Sequence, residues 1–185
     1  MNKKIFRLSL IMALIAPLGW VTLFPAATPA AAGAARYPFT AYNIACSLQE
    51  GKTWMSDDGI FHIRGRILQS VVASESAYHA GTGEIIGNAN IDLATMLGEY
   101  HGTLKIFPTA VNGYWAGSWV VQMTPAGQNG HARLQGYGDL EGWSIKAELT
   151  YLPPFILANF KHLCGGSQPV AGTLSNGYIL MPGGE

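Results

Sequence analysis

Nine consecutive residues, Ile85-Ile86-Gly87-Asn88-Ala89-Asn90-Ile91-Asp92-Leu93, decide the fold class of this chain. The odd positions are all apolar or small, while Asn88, Asn90 and Asp92 are polar. Side chains along a strand point alternately to its two faces, so this spelling describes a strand with one dry face and one wet face. The alternation continues downstream. Tyr100, Gly102, Leu104 and Ile106 alternate with Glu99, His101, Thr103 and Lys105, and then Trp115, Gly117, Trp119, Val121 and Met123 run against Ser118 and Gln122. Ala132, Leu134, Gly136 and Gly138 alternate with His131, Arg133, Gln135 and Tyr137. Finally Trp143, Ile145, Ala147, Leu149 and Tyr151 alternate with Ser144, Lys146, Glu148 and Thr150. Strands covered on both faces read as continuous apolar runs instead, so this is the pattern of an antiparallel sheet.

The connectors are short. Asn112-Gly113 lies between two such strands and is the dipeptide that supplies the positive φ angles of a tight hairpin. A longer turn is expected over residues 124–130 and a short one over 139–142. Upstream, Asp57-Asp58-Gly59 separates a strand at residues 53–55 from a long one starting at Ile60, in which Phe61, Ile63 and Ile67 are read on one face. A meander of hairpins leaves unpaired edges unless it closes on itself, and closure into a barrel is the usual remedy. One segment departs from period two. After Pro153-Pro154, the residues Ile156, Leu157, Phe160, Leu163 and Cys164 fall on one helical stripe, with Gly165 past its end and Lys161 and His162 in the last turn. The expected fold is therefore all-β: an antiparallel meander closed into a small barrel of about eight strands, with one short C-terminal helix. A closing strand is expected over residues 173–181.

The first residues point to export. Lys3, Lys4 and Arg7 precede an apolar run over residues 8–24, and Ala30-Ala31-Ala32 offers a small-residue cleavage site. This order is that of a secretory signal peptide, with an uncleaved membrane anchor as the alternative. The expected organisation is signal peptide 1–32, N-terminal linker 33–43, one β-barrel domain 44–181 and a tail 182–185. Removing Lys3, Lys4 and Arg7 leaves eight basic residues against eleven acidic ones. Such a sparse, weakly acidic charge lacks the basic footprint that nucleic acid demands, and no later apolar run is long enough to span a membrane as a helix. In an exported protein, the pair Cys46 and Cys164 reads as one disulfide, with a metal-binding or catalytic thiol as the competing reading.

Motifs that carry chemistry are scarce. The chain has no G-x-S-x-G, no H-E-x-x-H and no phosphate-binding glycine loop. His62, His101 and His131 fall on polar strand faces. Glu99 and His101 share a face and could form an acid/base pair, although a solvated strand surface accounts for them too. His79 falls in a loop. No cofactor, metal site or catalytic residue is expected.

The apolar face is more informative. Tyr100, Trp115, Trp119 and Trp143 are interleaved with Gly87, Gly102, Gly117, Gly136 and Gly138. Large rings beside glycines either fill a small barrel, each lying over a neighbouring glycine, or line a cup for a small apolar ligand. The stretch Trp115-Ala116-Gly117-Ser118-Trp119, followed by Gly136-Tyr137-Gly138-Asp139-Leu140-Glu141-Gly142, resembles the closing half of small secreted β-barrels of the calycin and allene-oxide-cyclase-like kind. The resemblance implies a barrel that often holds a small hydrophobic molecule, and no catalytic residue of those enzymes maps onto this chain. The functional expectation is an exported, non-catalytic barrel that binds a small apolar ligand through Tyr100, Trp115, Trp119 and Trp143. An extracellular interaction protein with a solid barrel and an aromatic patch near Tyr114 and Tyr137 is the alternative, and a barrel enzyme a third reading.

Overall fold

The computed structural model describes residues 34–182. Their strands are β1 (Ala35–Gln49), β2 (Lys52–Met55), β3 (Ile60–Ser74), β4 (Gly81–Asp92), β5 (Leu97–Pro108), β6 (Gly113–Thr124), β7 (Gly127–Gly138), β8 (Ser144–Tyr151) and β9 (Ala171–Met181). Every pairing is antiparallel. Neighbours in sequence pair from β3 through to β9. β9 then pairs with β1, and β1 returns to β3, which closes an eight-stranded barrel. The short β2 pairs only with the first part of β3, as a flange outside the ring.

The alternation points as the sequence says it must. Ala89, Ile91, Leu104, Ile106, Trp115, Val121, Ala132, Leu134, Ile145, Ala147 and Leu149 are buried inside. Glu84, Lys105, Arg133, Gln135, Lys146 and Glu148 stand on the outer wall, the reverse of a lipid-facing barrel.

β3 obeys this rule only in halves. Phe61 and Ile63 face inward, but Gly65 (φ 66°) sits in a bulge where the register to β4 slips between Ile63 and Arg66. A bulge adds one unpaired residue and inverts the parity that follows. Leu68, Ser70 and Val72 therefore face in, and Ile67 pairs with Ile86 on the outer wall, not on the face of Phe61 and Ile63. β1 carries a matching slip between Ala45 and Ser47, with Cys46 as the extra residue.

Three other expectations are corrected. Residues 35–43 are strand, not linker: Ala35 to Asn43 pair continuously with β9, and Phe39, Ala41 and Asn43 are buried. Pro38 is tolerated here because β1 pairs at this point with β9 alone and begins its pairing with β3 only at Ala41, so one side of the strand needs no ladder bond. The β6–β7 hairpin is tighter than the sequence implied. Thr124 pairs with Gly127, so only Pro125 and Ala126 form the loop. Asn112 and Gly113 take no left-handed angles; residues 109–112 form the connection and Gly113 opens β6 paired with Gly138.

The helix forms where expected, as α1 (Pro154–Leu157) continuing into a 3₁₀ segment (Ala158–Cys164). Pro154 occupies its first turn, and Gly165 ends it in the left-handed conformation (φ 61°). It lies on the outside of the barrel. Ile156, Leu157, Phe160, Leu163 and Cys164 pack with Leu152 against Ile44, Tyr42 and Leu174 on β1 and β9. The disulfide Cys46–Cys164 fastens the end of this helix to the β1 bulge, with Cα atoms 5.2 Å apart.

Candidate ligand-binding cavity

One end of the barrel is plugged. The loops at 75–80, 109–112 and 139–143 meet there. Trp115, fully buried, donates its indole N–H to the Tyr78 carbonyl at 2.7 Å. Tyr78 also packs edge-on against Trp143, 5.1 Å between ring centroids, and Leu140 and Val111 complete the plug. Above this floor the walls do not meet. A cavity of about 300 Å³ runs toward the other end, where the β1–β2, β4–β5 and β6–β7 turns lie. That volume falls at the small end of the range for small-molecule sites.

The aromatic residues singled out from the sequence divide between these two regions. Tyr100 and Trp119 line the cavity, stacked 5.8 Å apart at 25°. Both lean over Gly87, where a Cβ would come within 3.2 Å of the Tyr100 ring and 3.3 Å of the Trp119 ring. The Trp119 indole N–H is tied to the Thr103 carbonyl at 3.2 Å, which fixes the ring against the wall. Trp115 and Trp143 are not among the lining residues; they belong to the plug.

The lining has two characters. On β4 to β8 it is mostly apolar: Ile85, Leu104, Ile106, Val121, Leu134, Ile145, Ala147 and Leu149, together with the two rings, with Gln128 and Tyr151 as the polar exceptions. On the contiguous strands β9, β1 and β3 it contains polar groups. Asn43, Thr173 and Ser175 reach the cavity, and Ser70 is buried beside it against Gly83. At the floor, His79 rests on Phe39 with 4.4 Å between ring centroids. Asn43 is 7% exposed and His79 4%. Asn43 Oδ1, Ser70 Oγ and His79 Nδ1 have no hydrogen-bond partner in the protein. Burial alone pushes the His79 pKa down to about 4, so the ring is neutral at pH 7.

Arg66 stands at the mouth. Its Nη1 donates to the Tyr100 hydroxyl at 2.7 Å and its Nη2 to Glu50 Oε2 at 2.8 Å. Burial opposes the guanidinium charge, but Tyr100 and Glu50 outweigh it and hold the pKa above its ordinary value. Burial also raises the Tyr100 and Tyr151 phenols, so both are neutral hydroxyls at neutral pH.

The sequence reading missed Asn43, Arg66, Ser70 and His79. A signal existed for Asn43, the one polar member of the period-two set Phe39, Ala41, Asn43, Ala45. The Glu99–His101 pair sits on the outer wall with a 3.0 Å approach, both side chains substantially exposed, and Gln122 bonded to Glu99 at 2.7 Å. His62 is likewise outside, between Asn90 and Ser56 and stacked on Trp54. Phe107, Tyr114 and Tyr137 form a cross-strand aromatic row on the outer wall near the plugged end, with Tyr114 and Tyr137 stacked at 4.8 Å.

Comparisons of the chain with protein-family models, with curated proteins and with solved structures return no match.

Proposed function

We propose that the protein is an exported, non-catalytic β-barrel that binds a small, largely apolar ligand in its interior. The observation that carries this reading is the cavity between the plug and the open end, walled mainly by aliphatic side chains and two stacked rings. A packed interior would have favoured the interaction protein with a solid barrel. Tyr100 and Trp119 are the contact rings; Trp115 and Trp143 would act from below, by holding the floor. The disulfide fits an oxidising location, secreted or periplasmic, and so agrees with residues 1–32 acting as a signal peptide. That segment lies outside the described residues, as does most of the tail 182–185. The resemblance to small calycin-like barrels points the same way.

Titrating the purified protein with a panel of small lipophilic compounds tests the reading through tryptophan fluorescence, because Trp119 borders the cavity. Saturable quenching or enhancement is expected for at least one member of the panel. Ala147→Phe adds a ring to the cavity wall and should abolish that response while leaving the circular dichroism of the barrel intact. A flat response across the panel in the unmodified protein removes the proposal.

A further inference from the structure

The cavity is not uniformly apolar, and its buried polar atoms that lack a partner are not scattered. They lie on one side, on β1 and β3, with His79 below them, and across from them stands a largely aliphatic and aromatic wall on β4 to β8, to which Gln128 and Tyr151 add the polar groups. Asn43 is the central member. It pairs across the sheet with Thr173 on β9 and Val72 on β3, and its carbonyl oxygen is buried without a partner. A buried polar atom left unpaired costs about 1–3 kcal/mol, which makes such an atom in a hollow the mark of something that pairs with it. His79 repeats the observation at the floor with an orphan ring nitrogen.

The charge inventory narrows what that partner can be. Among the described residues, Arg66 is the one charged side chain in the lining; it stands at the mouth, paired there with Glu50, while its Nε is buried without a partner. Asn43, Ser70, Thr173 and Ser175 are neutral by nature, and His79 is neutral because its burial disfavours protonation. An anion or a cation buried along this stripe would meet no counter-charge, at a cost no hydrogen bond to an amide or hydroxyl offsets.

We infer that the cavity selects an uncharged amphipathic molecule, an alcohol or phenol on a hydrocarbon skeleton, whose hydroxyl donates to Asn43 Oδ1 while its apolar face lies on Tyr100 and Trp119. This deepens the proposed function and rests on it: it states which lipophilic molecules fit and which way round they sit. The hydroxyl points to the β9–β1–β3 side. The hydrocarbon faces the opposite wall.

The test uses three probes on one skeleton: naphthalene, 2-naphthol and 2-naphthoate, each titrated against the protein at pH 7 with tryptophan fluorescence, to which Trp119 contributes from the cavity wall, as the signal. The quantity that decides is the ratio of 2-naphthol to naphthalene affinity in the unmodified protein divided by the same ratio in Asn43→Leu. Removing the acceptor should lower the naphthol-to-naphthalene ratio of the variant about tenfold, the worth of one hydrogen bond in a dry site, so the quotient should be about ten. Naphthalene affinity itself should change little, and 2-naphthoate should bind least. Asn43→Ala serves as a second variant, and near-ultraviolet circular dichroism checks that both fold. A ratio that does not move between the unmodified protein and either variant overturns the inference while leaving the binding reading in place. So does a naphthoate that binds more tightly than the naphthol. If none of the three probes binds while another lipophilic compound of the panel does, the inference is overturned alone; if the panel is flat as well, the proposed function fails with it.

Discussion

His79 couples one buried ring to the acidity of the solution. Its pKa is 6.5 in the unfolded chain and about 4 in the barrel, with burial as the cause. Between those values the unfolded state binds a proton that the folded state refuses, so stability falls as pH drops from about 6.5 to 4. Integrated over that window, the loss is on the order of 3 kcal/mol. Asp58 and Asp92 have lowered pKa values, so they act in the same direction, but only below their ordinary value of 3.8. Urea unfolding at pH 7 and pH 4.5 should show the drop, and His79→Phe, which keeps a ring on Phe39, should remove most of it. Asn43 makes a complementary prediction. Leu has nearly the shape of Asn and no orphan oxygen, so Asn43→Leu should stabilise the free protein by about 1–2 kcal/mol, read as a raised Tm. A residue whose replacement improves stability and impairs binding is one kept for its partner. The sequence reading singles out neither residue, although Asn43 carries a period-two signal. Tyr100 and Trp119 are large, and their period-two setting aimed them inward. Asn43 lies at the end of residues 33–43, a stretch that reads as a linker, and His79 lies in a loop, where no periodicity says which way a side chain points.

The strands were legible because each of β4 to β8 keeps a strict alternation, and the helix because its two prolines, apolar stripe and terminal glycine agree. β3 shows the limit of that reading. Its alternation is regular on either side of Gly65, but a glycine in the middle of a strand does not say whether the count slips there, and Ile67 consequently fell on the wrong face. Two glycines should respond to alanine for opposite reasons. At Gly65 a Cβ meets nothing within 4 Å, so Gly65→Ala pays only for the left-handed backbone, about 1 kcal/mol. At Gly102 the Cβ would run into the Ile86 carbonyl of the neighbouring strand, so β4 and β5 must part to admit it. Gly102→Ala should therefore cost several times more, on the order of 3 kcal/mol or above, and disturb the wall beneath Tyr100. Denaturant midpoints of the two variants give the comparison directly.

For the molecule as a whole, alternation tells which side chains face the axis but not whether those from opposite walls touch. The emptiness of the interior depends on summed volumes. Ala45, Ala132, Ala147 and Ser175 are small where a filled barrel would carry leucine or phenylalanine, and the plug spends its large residues at one end. A hollow domain forgoes part of the burial that would otherwise hold it together, and the disulfide offsets this by constraining the unfolded chain. Cys46 and Cys164 are 118 residues apart. Replacing both with serine should lower stability by about 2–5 kcal/mol in urea, with the β4–β8 hairpins still formed in whatever remains folded.

The paired irregularities at Cys46 and Gly65 carry a further consequence, one of spelling. Each strand changes, partway along, which of its letters are read by the interior, so Leu48, Arg66 and Leu68 reach the mouth out of step with the letters that precede the surplus one. Deleting the surplus residue, Gly65 or Cys46, would restore a regular ladder and leave Arg66 opposite Gly87 and Leu48 opposite Leu68, whereas one residue inserted into a regular stretch such as β5 would turn everything beyond it inside out. An insertion in the Pro125-Ala126 hairpin, by contrast, would lengthen a loop and transpose nothing.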